Sequence, residues 1–322
     1  MEVSVIIPVY NAEEFVEKAV LSALAQKETS EVLLIDDAST DNSRTICLEL
    51  AQKYKKIKFF CHKDGENHGP GATRNIGISN AQYDYIAFLD ADDFYAPDIF
   101  KYAAHVFNEQ LNADGVYGVL KNYFYSPEIE DYYLNKMSLP EYYKMNRYIK
   151  PANLLEALLC GDSGYFSIVS MVIKKDFLIT CGLFFENIRL AEDIDLIYRM
   201  CVLGRLLPSN LNEVIVFRGV HGGNITFGSH YKARRWLYET WLENVVKYKL
   251  NIYVCKRFLL LRASQFKSSV LFQKYRAVWL TMMVLNCIRV LIAKPKLLVY
   301  TFRLWINHSR KNESNKPVSV PE

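Results

Sequence analysis

The apolar positions of the chain change period as it advances. Val3-Ser4-Val5-Ile6-Ile7-Pro8 is a β-branched run closed by proline, the pattern of a strand buried on both faces of a parallel sheet. Phe15, Ala19, Val20, Ala23 and Leu24 then recur at helical spacing within residues 12–25. Val32-Leu33-Leu34-Ile35 predicts a second strand, residues 41–52 a second helix with Asp41 as its N-cap, and Ile57 to Phe60 a third strand. Pro70-Gly71 opens a helix over 70–79, and Tyr85-Ile86-Ala87-Phe88-Leu89 predicts a fourth strand. Strands that alternate with helices imply right-handed crossovers, and so an α/β fold on a mostly parallel sheet. Residues 121–150 are rich in Tyr, Asn and Pro without a period and predict a long loop over the sheet edge. Beyond it, Phe166 to Ile173 and Val214 to Val220 read as strands and residues 192–203 as a helix.

A hydrophobic fraction of 51% with 23% charged residues excludes a disordered chain, and 322 residues suit one large α/β domain plus an appendage. The seven cysteines form no CxxC pair, which argues against a zinc ribbon or a disulfide framework. Met1-Glu2-Val3-Ser4 runs directly into the first strand without a signal-peptide pattern, so a reduced, cytoplasmic chain is expected.

The net charge of +4 hides a division. Residues 1–243 hold 24 Lys+Arg against 33 Asp+Glu, whereas residues 244–322 hold 15 against 2. Between Asn244 and Asn312 there is no acid at all. The apolar stretch 277–293 is 17 residues long, short of the ~20 that span a bilayer, and after it Lys296, Arg303 and Arg310 recur every seven residues. A helical basic tail on the anionic cytoplasmic face of the membrane is the expectation, with completion of the domain core as its alternative. The tail is more oily than a nucleic-acid arm requires, so no nucleic-acid partner is expected.

In an open parallel sheet, ligands bind outside the carboxyl ends of the strands, so the residues after each strand carry the chemistry. Val9-Tyr10-Asn11 follows the first strand, Asp36-Asp37-Ala38-Ser39 the second and Asp90-Ala91-Asp92-Asp93 the fourth. Three carboxylates within four residues repel one another unless a cation compensates, and hard oxygen donors on a loop suit Mg2+ or Mn2+ shared with a diphosphate. Capping of a helix near Ala96-Pro97 is the other reading of that cluster. Asp36-Asp37 fits a hydrogen bond to a base imide or ribose hydroxyl, and equally an Asx turn into Ser39-Thr40-Asp41. Gly69-Pro70-Gly71-Ala72-Thr73-Arg74 offers a helix N-terminus with an arginine one turn in, suited to phosphate, but lacks the GxxxxGK[ST] of a P-loop NTPase. Ala191-Glu192-Asp193-Ile194-Asp195 opens a helix whose acids either favour its dipole or project a general base into the cleft. His221, at a loop start, reads as a metal ligand or as a hydrogen-bonding loop residue.

Taken together, these segments resemble the family 2 glycosyltransferases of the GT-A fold. The resemblance rests on Ser4–Asn11, Glu31–Ser43, Gly69–Gly77, Asp84–Asp93 and Ala191–Asp195, in the family's order, and covers about residues 1–228. It implies a Rossmann-like GT-A domain over 1–228, with a nucleotide-sugar half at about 1–120 and an acceptor half at 121–228, before a helical basic extension over 229–322. By the same resemblance Pro8, Tyr10, Asp36 or Asp37 and Arg74 hold the nucleotide, with Asp90 near the ribose. Asp92 is then the ligand of Mn2+ or Mg2+, His221 lies near metal and diphosphate, and Asp193 is the catalytic base. The implied reaction is inverting transfer of one sugar from a nucleotide-sugar, of UDP type, to a hydroxyl of a glycan or lipid-linked acceptor in cell-surface polysaccharide synthesis. A processive polysaccharide synthase would resemble its kin in Gln-x-x-Arg-Trp, but here Lys232 takes the glutamine's place before Arg235-Trp236. A sugar-phosphate nucleotidyltransferase would need a glycine-rich basic loop where Val9-Tyr10-Asn11 stands.

Overall fold

The computed structural model describes residues 1–186, 188, 190–224, 231–244 and 247–264, with single positions at 288, 292, 295 and 299. The chain divides into two compact units, Met1–Gly228 and Ser229–Glu322.

The first unit opens with the predicted alternation: β1 (Val3–Val9), α1 (Val16–Leu24), β2 (Thr29–Asp36), α2 (Ser43–Lys53), β3 (Ile57–Cys61), α3 (Pro70–Asn80) and β4 (Tyr85–Phe88). Next come β5 (Phe94–Tyr95), α4 (Ile99–Glu109), β6 (Gly115–Tyr117), β7 (Val119–Phe124), α5 (Pro127–Asp131) and β8 (Tyr142–Tyr143). The remainder supplies α6 (Leu154–Cys160), β9 (Met171–Lys174), α7 (Lys175–Cys181), α8 (Glu192–Leu203), β10 (Leu206–Pro208) and β11 (Val214–Val220). Seven strands form the central sheet in the order β10-β6-β9-β4-β1-β2-β3, parallel except where β9 runs against β4 and β6. A smaller sheet, β5-β11-β7-β8, stands beside it.

β1 sits between β2 and β4, where strand order reverses, and its Val3, Val5, Ile6 and Ile7 are fully buried. Each such side chain contributes roughly 1.5–3 kcal/mol by burial, so the centre of the sheet is the firmest part of the unit. At the amino ends of the strands, buried Glu31 accepts from Ser4 Oγ, the Gln82 amide and Lys58 Nζ, each at 2.6 Å. Burial works against its charge, but these bonds outweigh it and hold the carboxyl below the usual range. The strand carboxyl ends, opposite, are left for the site.

Three sequence expectations change. α2 begins at Ser43, and Asp41, instead of capping it as the Ncap residue, accepts from the amides of Ser43 (3.0 Å) and Glu13 (3.1 Å), which fastens the α2 start to the turn before α1. The stretch 121–150 is not one loop: it holds the end of β7, α5, a π-helical turn at Tyr132–Lys136 and β8. β7 shows no alternation, since its burial does not follow a period of two: Val119, Leu120 and Asn122 are buried, Lys121 and Phe124 half-buried and Tyr123 exposed. Within Phe166 to Ile173 a 3₁₀ turn, Ile168–Ser170, precedes the strand, because the Ser167 and Ser170 hydroxyls form a reciprocal capping box that competes with sheet pairing.

The second unit contains α9 (Tyr231–Glu243) and α10 (Ile252–Ser264), with Trp241 stacked between Phe258 at 5.5 Å and Tyr248 at 5.1 Å. The predicted apolar stretch 277–293 and the heptad of Lys296, Arg303 and Arg310 lie outside the described residues, apart from Ile288 and Ile292, both exposed. Among the described residues, no helix is long and apolar enough to cross a membrane.

Candidate active site

The carboxyl ends of β1, β2 and β4 meet the N-terminus of α8 and the turn after β11. From β1, Pro8 is half-buried and Tyr10 is 52% exposed, so its ring is open to a ligand. Asn11, in the left-handed region at φ 48°, accepts from the Thr40 amide at 2.8 Å and so joins the loops after β1 and β2. Asp36 ends β2 in full burial: Oδ1 accepts from the Ser39 amide at 3.3 Å, and Oδ2 has no protein partner. Its neighbour Asp37 is saturated. It accepts from the amides of His68 (2.8 Å) and Gly69 (2.9 Å) and from Asn67 Nδ2 (2.9 Å), and His62 Nε2 lies 3.3 Å away. Asp37 thus fastens the loop between β3 and α3 to the end of β2.

The three acids after β4 have separate surroundings. Asp90 keeps 38% of its side chain exposed and accepts from Arg74 Nη2 at 2.7 Å. Asp92 Oδ2 faces His221 Nε2 at 3.1 Å and accepts from Asn224 Nδ2 at 2.9 Å. Asp93 is buried and accepts from the Gly219 amide at 3.0 Å; burial first, then the charges of Asp92 and Asp90, push its carboxyl well above the ordinary range. Its work is to hold β11 against the acidic loop. At Gly219 a Cβ would stand 2.0 Å from the Asp92 carbonyl oxygen, so only glycine permits that approach.

His221 is placed by several neighbours. Its ring stacks on Phe15 with centroids 4.5 Å apart, and Tyr125 meets it edge-on at 6.3 Å. The Gly223 amide donates to Nδ1 at 3.3 Å, which helps to fix the ring with Nε2 toward Asp92. Asn224 closes the turn, accepting from the His221 amide at 2.7 Å while it donates to Asp92. The sequence pattern marks Phe15 only as an apolar helix position and gives Asn224 no site role beyond its place after Gly222-Gly223.

Arg74 links the loop after β4 to α8. Its Nη2 donates to Asp90 and its Nη1 to Glu192 Oε1 at 3.0 Å, with only 5% of its side chain exposed. Burial alone works against the cation, but the charges of Asp90 and Glu192 outweigh it and hold its pKa above the usual arginine value. Glu192 is pushed up to about 7, by burial and then by the Asp193 charge, with Arg74 opposing. Half-buried Asp193 is raised as well, by burial first, against the Arg74 charge and a 2.8 Å bond from the Ile194 amide. Ala191 before them has φ 68° and ψ 15°, left-handed backbone that a Cβ disfavours by roughly 1–2 kcal/mol. That turn is held by docking, since Ala191 offers no side-chain cap.

Among the described residues no group of three or more His, Cys, Asp or Glu side chains is disposed to enclose a metal ion. Asp92 and His221 are the pair that could hold one: Oδ2 and Nε2 stand 3.1 Å apart, and the carboxylate oxygen is the hard donor that suits Mn2+ or Mg2+.

The family model described as Glycosyl transferase family 2 matches residues 4–175. An uncharacterized glycosyltransferase of Haemophilus influenzae is 48% identical over 97 residues, 30% of this chain and 38% of that protein. The minor teichoic acid biosynthesis protein GgaA of Bacillus subtilis is 31% identical over 199 residues, 59% of this chain and 41% of that one. The chain thus spans less than half the length of either curated relative. Among solved structures, S. aureus TarS 1-349 in complex with UDP-GlcNAc superposes with a TM-score of 0.65 at 18% identity, covering 90% of this chain and 83% of that one, a likeness of fold.

Proposed function

The chain belongs to glycosyl transferase family 2, and from that premise we propose that it transfers a single sugar from a nucleotide-sugar donor to an acceptor hydroxyl, with inversion at the anomeric carbon. The observation that carries this reading is the gathering of Tyr10, Asp36, Asp90 and Asp92 at three strand ends, where Arg74 joins Asp90 at 2.7 Å to Glu192 of α8 at 3.0 Å, beside Asp193. Pro8, Tyr10, Asp36 and Asp90 line the nucleotide side; Asp37 and Arg74 stand behind them and hold the loop before α3 and Asp90. The unpartnered Oδ2 of Asp36 suits a donor N–H or hydroxyl of the base or ribose. A UDP-sugar is the preferred donor, supported by the likeness to a structure that holds UDP-GlcNAc.

An acceptor hydroxyl is a weak nucleophile. Asp193 takes its proton as the oxygen attacks the anomeric carbon, and its raised pKa keeps it basic enough for that transfer. Asp92 and His221 would hold Mn2+ or Mg2+, which when bound supplies positive charge beside the leaving diphosphate. One displacement by one base gives inversion. The acceptor is a glycan or lipid-linked glycan of the cell surface, supported by the relative named for teichoic acid biosynthesis. The basic tail, lying on anionic lipid at the cytoplasmic face of the membrane, would deliver it.

The test is turnover of a panel of UDP-sugars with and without metal. UDP release should require Mn2+ or Mg2+, and Asp92→Asn should nearly abolish it. Equal turnover in excess chelator would remove the metal role. Proton NMR of the product linkage should show inversion, and retention would defeat the single-displacement mechanism.

A further inference from the structure

The N-terminal turns of α3 press against the segment that leads into α8. Asn75 pairs with the backbone of Phe184 like a neighbouring strand: its Oδ1 accepts from the Phe184 amide at 3.0 Å, and its Nδ2 donates to the Phe184 carbonyl at 2.9 Å. The same Nδ2 lies 3.1 Å from Glu186 Oε1. Gly71 completes the fit, because a Cβ there would stand 3.2 Å from Glu192 Cγ and 3.3 Å from both Phe184 Cβ and the Phe185 carbonyl oxygen. The Arg74 guanidinium lies over the Phe184 ring at 5.4 Å while its two terminal nitrogens reach Asp90 and Glu192.

This arrangement does not suit a phosphate ligand. A guanidinium that recognises a diphosphate presents its fork to the open cleft, whereas that of Arg74 is 5% exposed and spans two carboxylates. We propose that Arg74 is a positioning residue that locks the base-bearing first turn of α8 to the donor-side carboxylate Asp90, rather than a ligand of the donor diphosphate. The inference rests on the glycosyltransferase reading for the names of the two sides it joins. Asp193 follows Glu192 directly, so fixing Glu192 fixes the direction in which Asp193 leaves the helix. The left-handed Ala191 just before them resists that geometry, and the Arg74 bridge opposes its relaxation. Because Asp90 is partly exposed, a nucleotide that engages it also bears on the cation that orients the base.

Two measurements test this on the full chain. The first needs no activity: amide hydrogen exchange across residues 190–196, without ligand, in wild type and in Arg74→Lys and Arg74→Ala. Lysine keeps the charge but cannot fork between two carboxylates, so both variants should exchange faster in that turn while β1 and β2 stay protected. Unchanged exchange there overturns the inference whatever the reaction proves to be. The second separates turnover from donor affinity, with UDP as the binding probe and UDP release from UDP-GlcNAc as the rate. Arg74→Lys should lower kcat by roughly tenfold to a hundredfold, the order of loss when a reacting group is misplaced by about 1 Å, with UDP affinity near wild type. A loss of UDP affinity that matches the loss of rate, with exchange unchanged, would make Arg74 a phosphate ligand. Failure of wild type to bind UDP at all would sink the proposed function and leave the exchange result to decide the role of Arg74.

Discussion

Glu192 and Asp193 are adjacent, yet their surroundings divide the work between them. Glu192 is buried on Arg74, whereas Asp193 is half-buried. Asp193→Asn should remove roughly two to four orders of magnitude in turnover with UDP affinity largely kept, the usual weight of a general base. A comparable loss of UDP affinity would reassign it to the donor site. Glu192→Gln should cost less, since Glu192 is buried on Arg74 and acts through it. The same residue leaves a mark on stability. Its pKa rises from 4.5 to about 7 on folding, so between those values the folded chain binds more protons than the unfolded one. This contribution to stability therefore falls as pH rises through that window. Thermal midpoints from pH 4.5 to 7.5 should show that decline in wild type and less of it in Glu192→Gln; parallel curves would mean that Glu192 is charged throughout.

At the scale of elements, the site depends on how β11 reaches the loop after β4. Gly219→Ala would drive a methyl group into the Asp92 carbonyl, 2.0 Å from the ideal Cβ, and the Asp93 bond to the Gly219 amide blocks an easy retreat. The expected loss is about 1–3 kcal/mol of stability by overpacking, with loss of turnover in the proposed sugar transfer. A variant with wild-type midpoint and turnover would show that β11 moves aside without cost. The elements around this junction differ in how legible they were. β1, β2 and β4 show in the sequence because strands buried on both faces need continuous apolar runs. The start of α3 shows because Pro70-Gly71 punctuates it. β7, β8 and the aromatic packing of Phe15 and Tyr125 on His221 do not, since their partners are about a hundred residues or more away along the chain or follow no period.

At the scale of the whole molecule, charge is the strongest asymmetry: 33 acids against 24 bases up to residue 243, then 2 against 15. Attachment of basic residues to anionic lipid gains about 1 kcal/mol for each one near the surface, while apolar insertion is not screened by salt. The full chain should therefore sediment with vesicles containing anionic lipid at low salt, less but still measurably at high salt, and poorly with zwitterionic vesicles. No difference between the two vesicle types would return the tail to a role in the core or to a protein partner. By itself the sequence determined the α/β alternation, the family to which residues 4–175 belong and the strand ends at which acids collect, because buried periodicity and punctuated turns are local properties of a chain. Only the tertiary structure decided what each polar group faces. Arg74 meets Asp90, 16 residues away, and Glu192, 118 residues away; Asp37 clamps a loop and Asp93 a strand; Asn224 reaches Asp92 across 132 residues. The physical reason is that a side chain's charge state and partners depend on distance and burial in space, which no local pattern encodes.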